Sequence, residues 1–453
     1  MKTGKININT VLQSNFRIDP SLHLSEGVKC RALLHKSPYG LKTVEECSSR
    51  IFLGNIFSRC FVKSKEYGVT YLSASDTVLA DIETGRYISK KQAKQLSYLM
   101  LEKDWILATC SGTLGNITYT NKHFCDKIAT HDLIRVIPLD LVMKKGCLYA
   151  FLSSRYGYYQ ITQSQFGGVV KHINDKQLGN VIIPSFPHVF QREVDNLIQE
   201  SVDLREDATN ALNAAHGIID NRFLGLNIKH TSCVSIQSLI SSHDKRFEAS
   251  YYVSDNRSLL DSIIDYGEYS LLRDNTNSIF KPNIFKREYV QKNGYQLIGG
   301  SDMLKRIPST DKMISKRQVE SMPSLKLERN YILVTRAGTI GNVAFVDNQV
   351  ANLIISEDVL RVVPRDEQTA YYLYAFLSSK VGKKLITLFT YGSVIQHIES
   401  QHLELVPIPK LGKDEYEKIV SLTCESIKKI EAAKEKELKA IRMVEEEIEK
   451  WNN

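Results

Sequence analysis

At two places in the chain a pair of adjacent cations follows a serine: Lys90-Lys91 in Tyr87-Ile-Ser-Lys-Lys-Gln92, and Lys316-Arg317 in Met313-Ile-Ser-Lys-Arg-Gln318. Such side chains, with a hydroxyl or backbone amides beside them, engage phosphate oxygens. A solvated helix start would explain the same residues. Further along, each segment runs into a short apolar strand and a glycine-containing turn, Ile106-Leu-Ala-Thr-Cys-Ser-Gly-Thr-Leu-Gly-Asn116 and Ile332-Leu-Val-Thr-Arg-Ala-Gly-Thr-Ile-Gly-Asn342. Two glycines three apart let the backbone reverse, and Thr113 or Thr339 would project from the loop. The turn has neither the length nor the lysine of a phosphate loop, so a structural turn is the plainer reading. A third matched pair is Gln165-Phe-Gly-Gly-Val-Val-Lys-His172 and Thr390-Tyr-Gly-Ser-Val-Ile-Gln-His397. His172 and His397 could be taken for catalytic groups, but histidines held by backbone contacts at a helix start or in a strand are the preferred reading.

These matches are one repeat. Gly112 and Gly338, Ser89 and Ser315, Ser75 and Ser301, and Arg135 and Arg361 all stand 226 residues apart. Tyr149-Ala-Phe-Leu-Ser-Ser154 recurs as Tyr374-Ala-Phe-Leu-Ser-Ser379 one residue closer, and His172/His397 and Pro184/Pro409 keep that spacing. A fixed-period match of this extent marks two tandem copies of one unit. Each copy opens with a mixed region of strand-like and helix-like segments and closes with a long polar helix. The first helix carries apolar residues at Phe190, Val194, Leu197, Leu204, Ala208, Ala211, Ala215 and Ile218, with Gly225 and Asn227 as its stop signal. The second begins near Lys413 and carries Ile427, Ile430, Leu438, Ile441, Val444, Ile448 and Trp451. A helix of ~35 residues is about 50 Å long, too long to bury its stripe on a small globule. The two helices are expected to pair with each other, antiparallel, as a coiled coil; packing of each on its own globule is the alternative. The predicted fold is α+β: two similar mixed globules, residues 1–187 and 227–410, joined by spacer helices 188–226 and 411–453 in a pseudo-two-fold repeat.

Composition narrows the class. With 453 residues, 43% hydrophobic and 24% charged, the chain is expected to be folded and to hold more than one domain. No stretch approaches ~20 apolar residues, so no membrane span is expected, and Met1-Lys-Thr-Gly-Lys-Ile does not begin a signal peptide. The eight cysteines form no CxxC pair, and Cys110 and Cys125 face Arg336 and Ala351 in the other copy. Free thiols in a reducing cytoplasm fit this better than disulfides or zinc. The formal charge of +8 leans modestly toward a polyanion partner. Rossmann, Walker, HExxH and GxSxG motifs are missing, as are an Asn-Pro-Pro-Tyr methyltransferase signature and a convincing nuclease pattern. Two basic globules on a spacer, without catalytic equipment, point to recognition at two separated places.

Taken in order, these segments resemble the specificity subunit of bacterial type I restriction–modification systems. The resemblance covers nearly the whole chain. It rests on the glycine turn and its twin, the serine–cation segments, the Ala-Phe-Leu-Ser-Ser stretches and the lead into Val406-Pro-Ile-Pro409. Arg246-Phe-Glu-Ala-Ser-Tyr-Tyr252 resembles the start of a recognition domain, and Arg17-Ile-Asp-Pro20 is its weaker twin. The helix starts depart from the family pattern at Pro184-Ser-Phe-Pro187 and Pro409-Lys-Leu-Gly412.

The resemblance implies a cytoplasmic, non-catalytic subunit of phage defence that reads double-stranded DNA, one half-site per recognition domain. Two partner methyltransferase subunits would bring S-adenosylmethionine, and a restriction subunit would bring ATP and Mg; this chain itself would hold no cofactor and no metal. Lys90, Lys91, Lys316 and Arg317 would contact phosphates, because cations kept in both copies cannot encode two different half-sites. Thr113, Arg336, Thr339, Ser393 and Gln396 are candidate base readers, Arg336 foremost, since arginine–guanine is the commonest specific contact. The competing readings are a specificity subunit serving a fused type II nuclease–methyltransferase, a coiled-coil scaffold that binds no DNA, and a hidden enzyme using the two histidines.

Overall fold

The computed structural model describes residues 5–13, 16, 18, 20–112, 114–163, 165, 171–225, 233–241, 249–391 and 396–452. Two compact units account for the chain, Met1–Glu206 with Ala432–Asn453, and Asp207–Glu431. In the first unit a four-stranded antiparallel sheet has the order Ser48–Phe52, Leu133–Pro138, Ile106–Thr109, Ile117–Tyr119. A second sheet runs Phe61–Val62, Tyr87–Ser89, Gly68–Leu72, Ile128–Ala129, with only the last pair parallel. Leu41–Thr43 and Ile182–Pro184 form a short antiparallel ladder.

The second unit, taken by itself, repeats all three arrangements. Its sheets run Thr276–Phe280, Val359–Pro364, Ile332–Thr335, Val343–Phe345, and Tyr289–Val290, Met313–Ser315, Gly294–Ile298, Ile354–Ile355. Tyr269–Leu271 pairs with Pro407–Pro409. Even the register shift in the outer strand recurs, between Ser48 and Arg50 and between Thr276 and Ser278.

The strand residues explain the layering. Ile106–Thr109 and Ile332–Thr335 are buried at every position, as suits a strand covered on both faces. Ile106 and Ala108 join the core that includes Phe151 and Ile161 of the helices Lys145–Ser153 and Arg155–Gln163; Leu107 joins the opposite one with Phe52 and Trp105. The helix pair itself turns on the repeated serines. Ser154 and Ser379 donate to the carbonyls of Phe151 and Phe376 at 2.6 Å, while their Oγ atoms accept from Gly157 and Gly382 in the helix that follows.

Arg135 and Arg361, repeat markers in the sequence, are fully buried in the strands Leu133–Pro138 and Val359–Pro364. Arg135 donates to the carbonyls of Leu133, Ala129 and Thr130 at 2.8–3.1 Å, and Arg361 to those of Ser356 and Ile355 at 3.1 and 2.7 Å. Burial lowers both guanidinium pKa values to about 10, so each remains a cation at neutral pH. Each arginine therefore staples the turn that leads into its own strand.

The two long helices span His188–Phe223 and Lys413–Glu449. Within the first unit Glu200 pairs with Lys436 and Ser201 donates to the Ala433 carbonyl, while Phe186, just ahead of the first helix, meets Trp451. Within the second, Asp207 pairs with Lys429 and Arg222 with Glu415. Rising numbers on one helix meet falling numbers on the other, so the strips of the two helices in each unit are antiparallel, as the pseudo-two-fold repeat predicts. The buried stripe differs in detail. Val194, Ile198, Val202, Ala208, Ala211, Ala215 and Ile219 are buried, whereas Leu197, Leu204 and Ile218 are half-exposed. Gly225, with φ +89°, follows the first helix, and Asn227 lies outside the described residues.

Candidate nucleic-acid interface

Each glycine turn is closed by the residues at its ends. Thr109 and Asn116 exchange backbone contacts, with Thr109 Oγ1 accepting from the Asn116 amide at 3.1 Å; Thr335 and Asn342 do the same at 3.0 Å. Gly112, Gly115, Gly338 and Gly341 have φ between +71 and +82°, a conformation that glycine adopts without strain. A side chain at Gly112 or Gly338 would meet nothing within 4 Å, so the tip of each turn is open, whereas Gly115 and Gly341 pack against Tyr158 and Ile386. Thr339 is exposed at this tip; its twin Thr113 lies outside the described residues. The matched histidines flank the turns through their backbones, His172 bridging to Ser111 and His397 to Ala337.

Arg336, the foremost candidate base reader, is held by two carboxylates. Its guanidinium joins Asp358 (2.5 Å) and Glu399, and only 14% of the side chain is exposed. Tyr391 donates a longer bond to the same Glu399. The side chain braces the turn against the carboxylate ahead of helix Ser400–Leu403, and reaching a base would break two ion pairs. Gln396 remains exposed, and Ser393 lies outside the described residues.

In the first unit the same place is open. Cys110 stands where the second unit has Arg336, Asp132 where it has Asp358, and Asn174 where it has Glu399. Cys110, His131, Asp132, His172 and Asn174, with Leu53, Gly54, Ile56 and Ile173, line a cleft of about 350 Å³. The Cys110 thiol lies 3.4 Å from Asp132, and burial, then that carboxylate, pushes its pKa up to about 12.

The serine–cation segments build the other half of the surface. Ser89 and Ser315 cap the short helices Lys90–Gln95 and Lys316–Ser321, accepting from the amides of Gln92 and Gln318 at 3.3 and 3.2 Å. Lys90, Lys91, Lys316 and Arg317 are exposed, with no ion-pair partner among the described residues. Three residues beyond each cap, a glutamine clasps a neighbouring loop. Gln92 accepts from the Cys60 amide at 2.8 Å and donates to the Ser58 carbonyl at 2.6 Å. Gln318 does the same to Glu288 and Lys286, at 2.9 and 2.7 Å.

The clasped loops are themselves a repeat: Asn55-Ile-Phe-Ser-Arg-Cys-Phe-Val62 and Asn283-Ile-Phe-Lys-Arg-Glu-Tyr-Val290. They stand 228 residues apart, so a search at a fixed 226 passes over them. The extra two residues lie in the link to the next strand, which is 63–67 in the first copy and 291–293 in the second. Phe57 and Phe285 anchor the loops in small cores. Arg59 donates to the Tyr71 hydroxyl at 2.6 Å, and Arg287 pairs with Glu357 at 3.0 Å.

Cations without partners, a rigid loop and a turn with an open tip, all present twice, define a surface suited to a polyanion. Residues 272–440 match the family described as type I restriction modification DNA specificity domain. The resemblance to specificity subunits read from the sequence therefore stands. Among curated proteins none matches the sequence. Solved structures to which the chain is similar include the type I restriction–modification S subunit from M. genitalium, at 11% identity over 91% of this chain and 96% of that one, with a TM-score of 0.35. The HsdS subunit from Thermoanaerobacter tengcongensis is 14% identical over 91% and 96%, with a TM-score of 0.28. A chain from a study titled for complex assembly and conformational transition of the type I R-M system is 14% identical over 92% and 98%, with a TM-score of 0.30. At such scores whole-chain superposition carries no weight beyond the shared length. No helix among the described residues is long and apolar enough to cross a membrane.

Proposed function

We propose that this chain is the DNA-reading subunit of a type I restriction–modification complex and that it recognises a bipartite duplex sequence, one half per recognition domain. The supporting observation is the duplicated surface, in which unpaired cations, clasp and turn recur in each unit while the side chains around the turn differ. Lys90, Lys91, Lys316 and Arg317 contact phosphates and set register; Thr113, Thr339, Ser393 and Gln396 are the candidates for reading bases. The chain works in the cytoplasm and catalyses nothing itself. Two methyltransferase subunits dock on it and bring S-adenosylmethionine, and a restriction subunit brings ATP and Mg.

Methylation-aware sequencing of the host genome tests this reading. Two short methylated half-sites at a fixed separation, lost when the gene for this chain is deleted, are expected. Replacing residues 1–187 with the first domain of another specificity subunit should change one half-site and leave the other. A change in both halves would overturn the modular assignment.

A further inference from the structure

Ile56 and Ile284 occupy the same position in the two clasped loops and are 87% and 84% exposed. An aliphatic side chain of this size in water forgoes most of its burial energy, so a lone one is unremarkable. Here it is repeated, and on a segment held rigid from three sides. Phe57 or Phe285 packs beneath it, Arg59 or Arg287 fastens the loop to its own unit, and Gln92 or Gln318 clasps the backbone two residues on. Phe61 and Tyr289, 51% and 54% exposed, follow in the strand.

Charge decides what covers these residues. Lys63, Lys65, Lys90, Lys91 and Lys94 are exposed in the first unit, as are Lys286, Lys292, Lys316 and Arg317 in the second. The clasp holds each isoleucine loop beside one of these cation pairs, so whatever meets the isoleucine meets the cations too. An apolar protein surface would leave those charges desolvated without partners, whereas a nucleic-acid duplex offers phosphates beside the apolar walls of its grooves.

We infer that Ile56 and Ile284 are the apolar groove contacts of the two recognition domains, each seated in the duplex by its flanking cations. This rests on the DNA-reading function proposed above. Because the residue is the same in both units, the contact is common to both half-sites and does not distinguish them.

The test uses the full chain and a fluorescein-labelled duplex of mixed sequence, with affinity measured by anisotropy over a range of salt. Ile56→Ser and Ile284→Ser should each weaken binding roughly five- to tenfold without changing the slope of log K against log salt, and Ile→Leu should bind as the parent does. The parallel variant Lys316→Ala/Arg317→Ala should flatten that slope. If the serine variants bind within about twofold of the parent while the cation variant weakens, the isoleucines meet something other than DNA and the inference falls alone. If none of the variants alters binding, the DNA-reading function falls with it.

Discussion

The two units agree most closely where side chains hold backbone and differ where they face each other or the solvent. Ser89 and Ser315, Gln92 and Gln318, and Arg135 and Arg361 make matching bonds, down to the amides and carbonyls they hold. By contrast, the first unit buries an ion pair between its helical strips where the second has apolar residues. Arg205 Nη2 lies 2.8 Å from Glu437, which Tyr149 also bonds, and the two charged side chains are 7% and 4% exposed. Ile430 stands where the first unit has Arg205, and Leu212 where it has Glu437. A backbone clasp is thus a requirement of the fold, whereas the chemistry between the helices can be exchanged if both partners change together.

That contrast gives the largest expected effect. Glu437→Leu alone strands a buried guanidinium and should destabilise the first unit by about 3–5 kcal/mol. The double change Arg205→Ile/Glu437→Leu installs the second unit's pair and should recover most of the loss. Both tryptophans, Trp105 and Trp451, belong to the first unit, so their fluorescence during urea unfolding follows that unit selectively. Equal stability of the single and double variants would mean that Arg205 finds water or another partner.

Next in size is the cation pair. Lys316→Ala/Arg317→Ala should lower affinity for every duplex by about tenfold at low salt and flatten the salt dependence by up to two units of slope, and Lys90→Ala/Lys91→Ala should do the same. Different slopes for the two variants would show that the matched surfaces are not used alike.

Smaller still is the exchange at the turn. Arg336→Cys gives the second unit the first unit's residue and leaves Asp358 and Glu399 without their shared cation. A loss of ~1 kcal/mol is expected, given that Asp358 is largely exposed. Methylation-aware sequencing should find one half-site read less strictly, because the turn is less firmly placed. An unchanged motif would confine Arg336 to stability.

The sequence disclosed the repeat and the two long helices, because apolar periodicity and turn glycines act locally, and the direction of pairing followed from the pseudo-two-fold of the repeat. The buried Arg205–Glu437 pair was not legible: charges on a polar helix read as solvent-facing, and only the partner helix reveals which of them are enclosed. The pairing of Arg336 was hidden for a related reason. Its difference from Cys110 marked it as a reader, yet the carboxylates it meets lie 22 and 63 residues away. The Asn55–Val62 loop escaped through a two-residue change in spacing, although its residues alone would have shown the match.

The least effect is expected at Cys110, and it sharpens what the open cleft is. The thiol is 3% exposed, and its pKa near 12 leaves almost no thiolate at pH 8. Cys60 and Cys233 are exposed. Maleimide at pH 8 should therefore label Cys60 and Cys233 quickly and Cys110 only on unfolding, as read by mass spectrometry of peptides. Cys110→Arg should place a guanidinium beside Asp132 but without the second carboxylate, since Asn174 stands where Glu399 does. A partly paired arginine gains less than Arg336 does, so stability should change by under ~1 kcal/mol. Rapid labelling of Cys110 in the folded chain would mean that the cleft reaches the thiol and that the first unit's turn is looser than its twin.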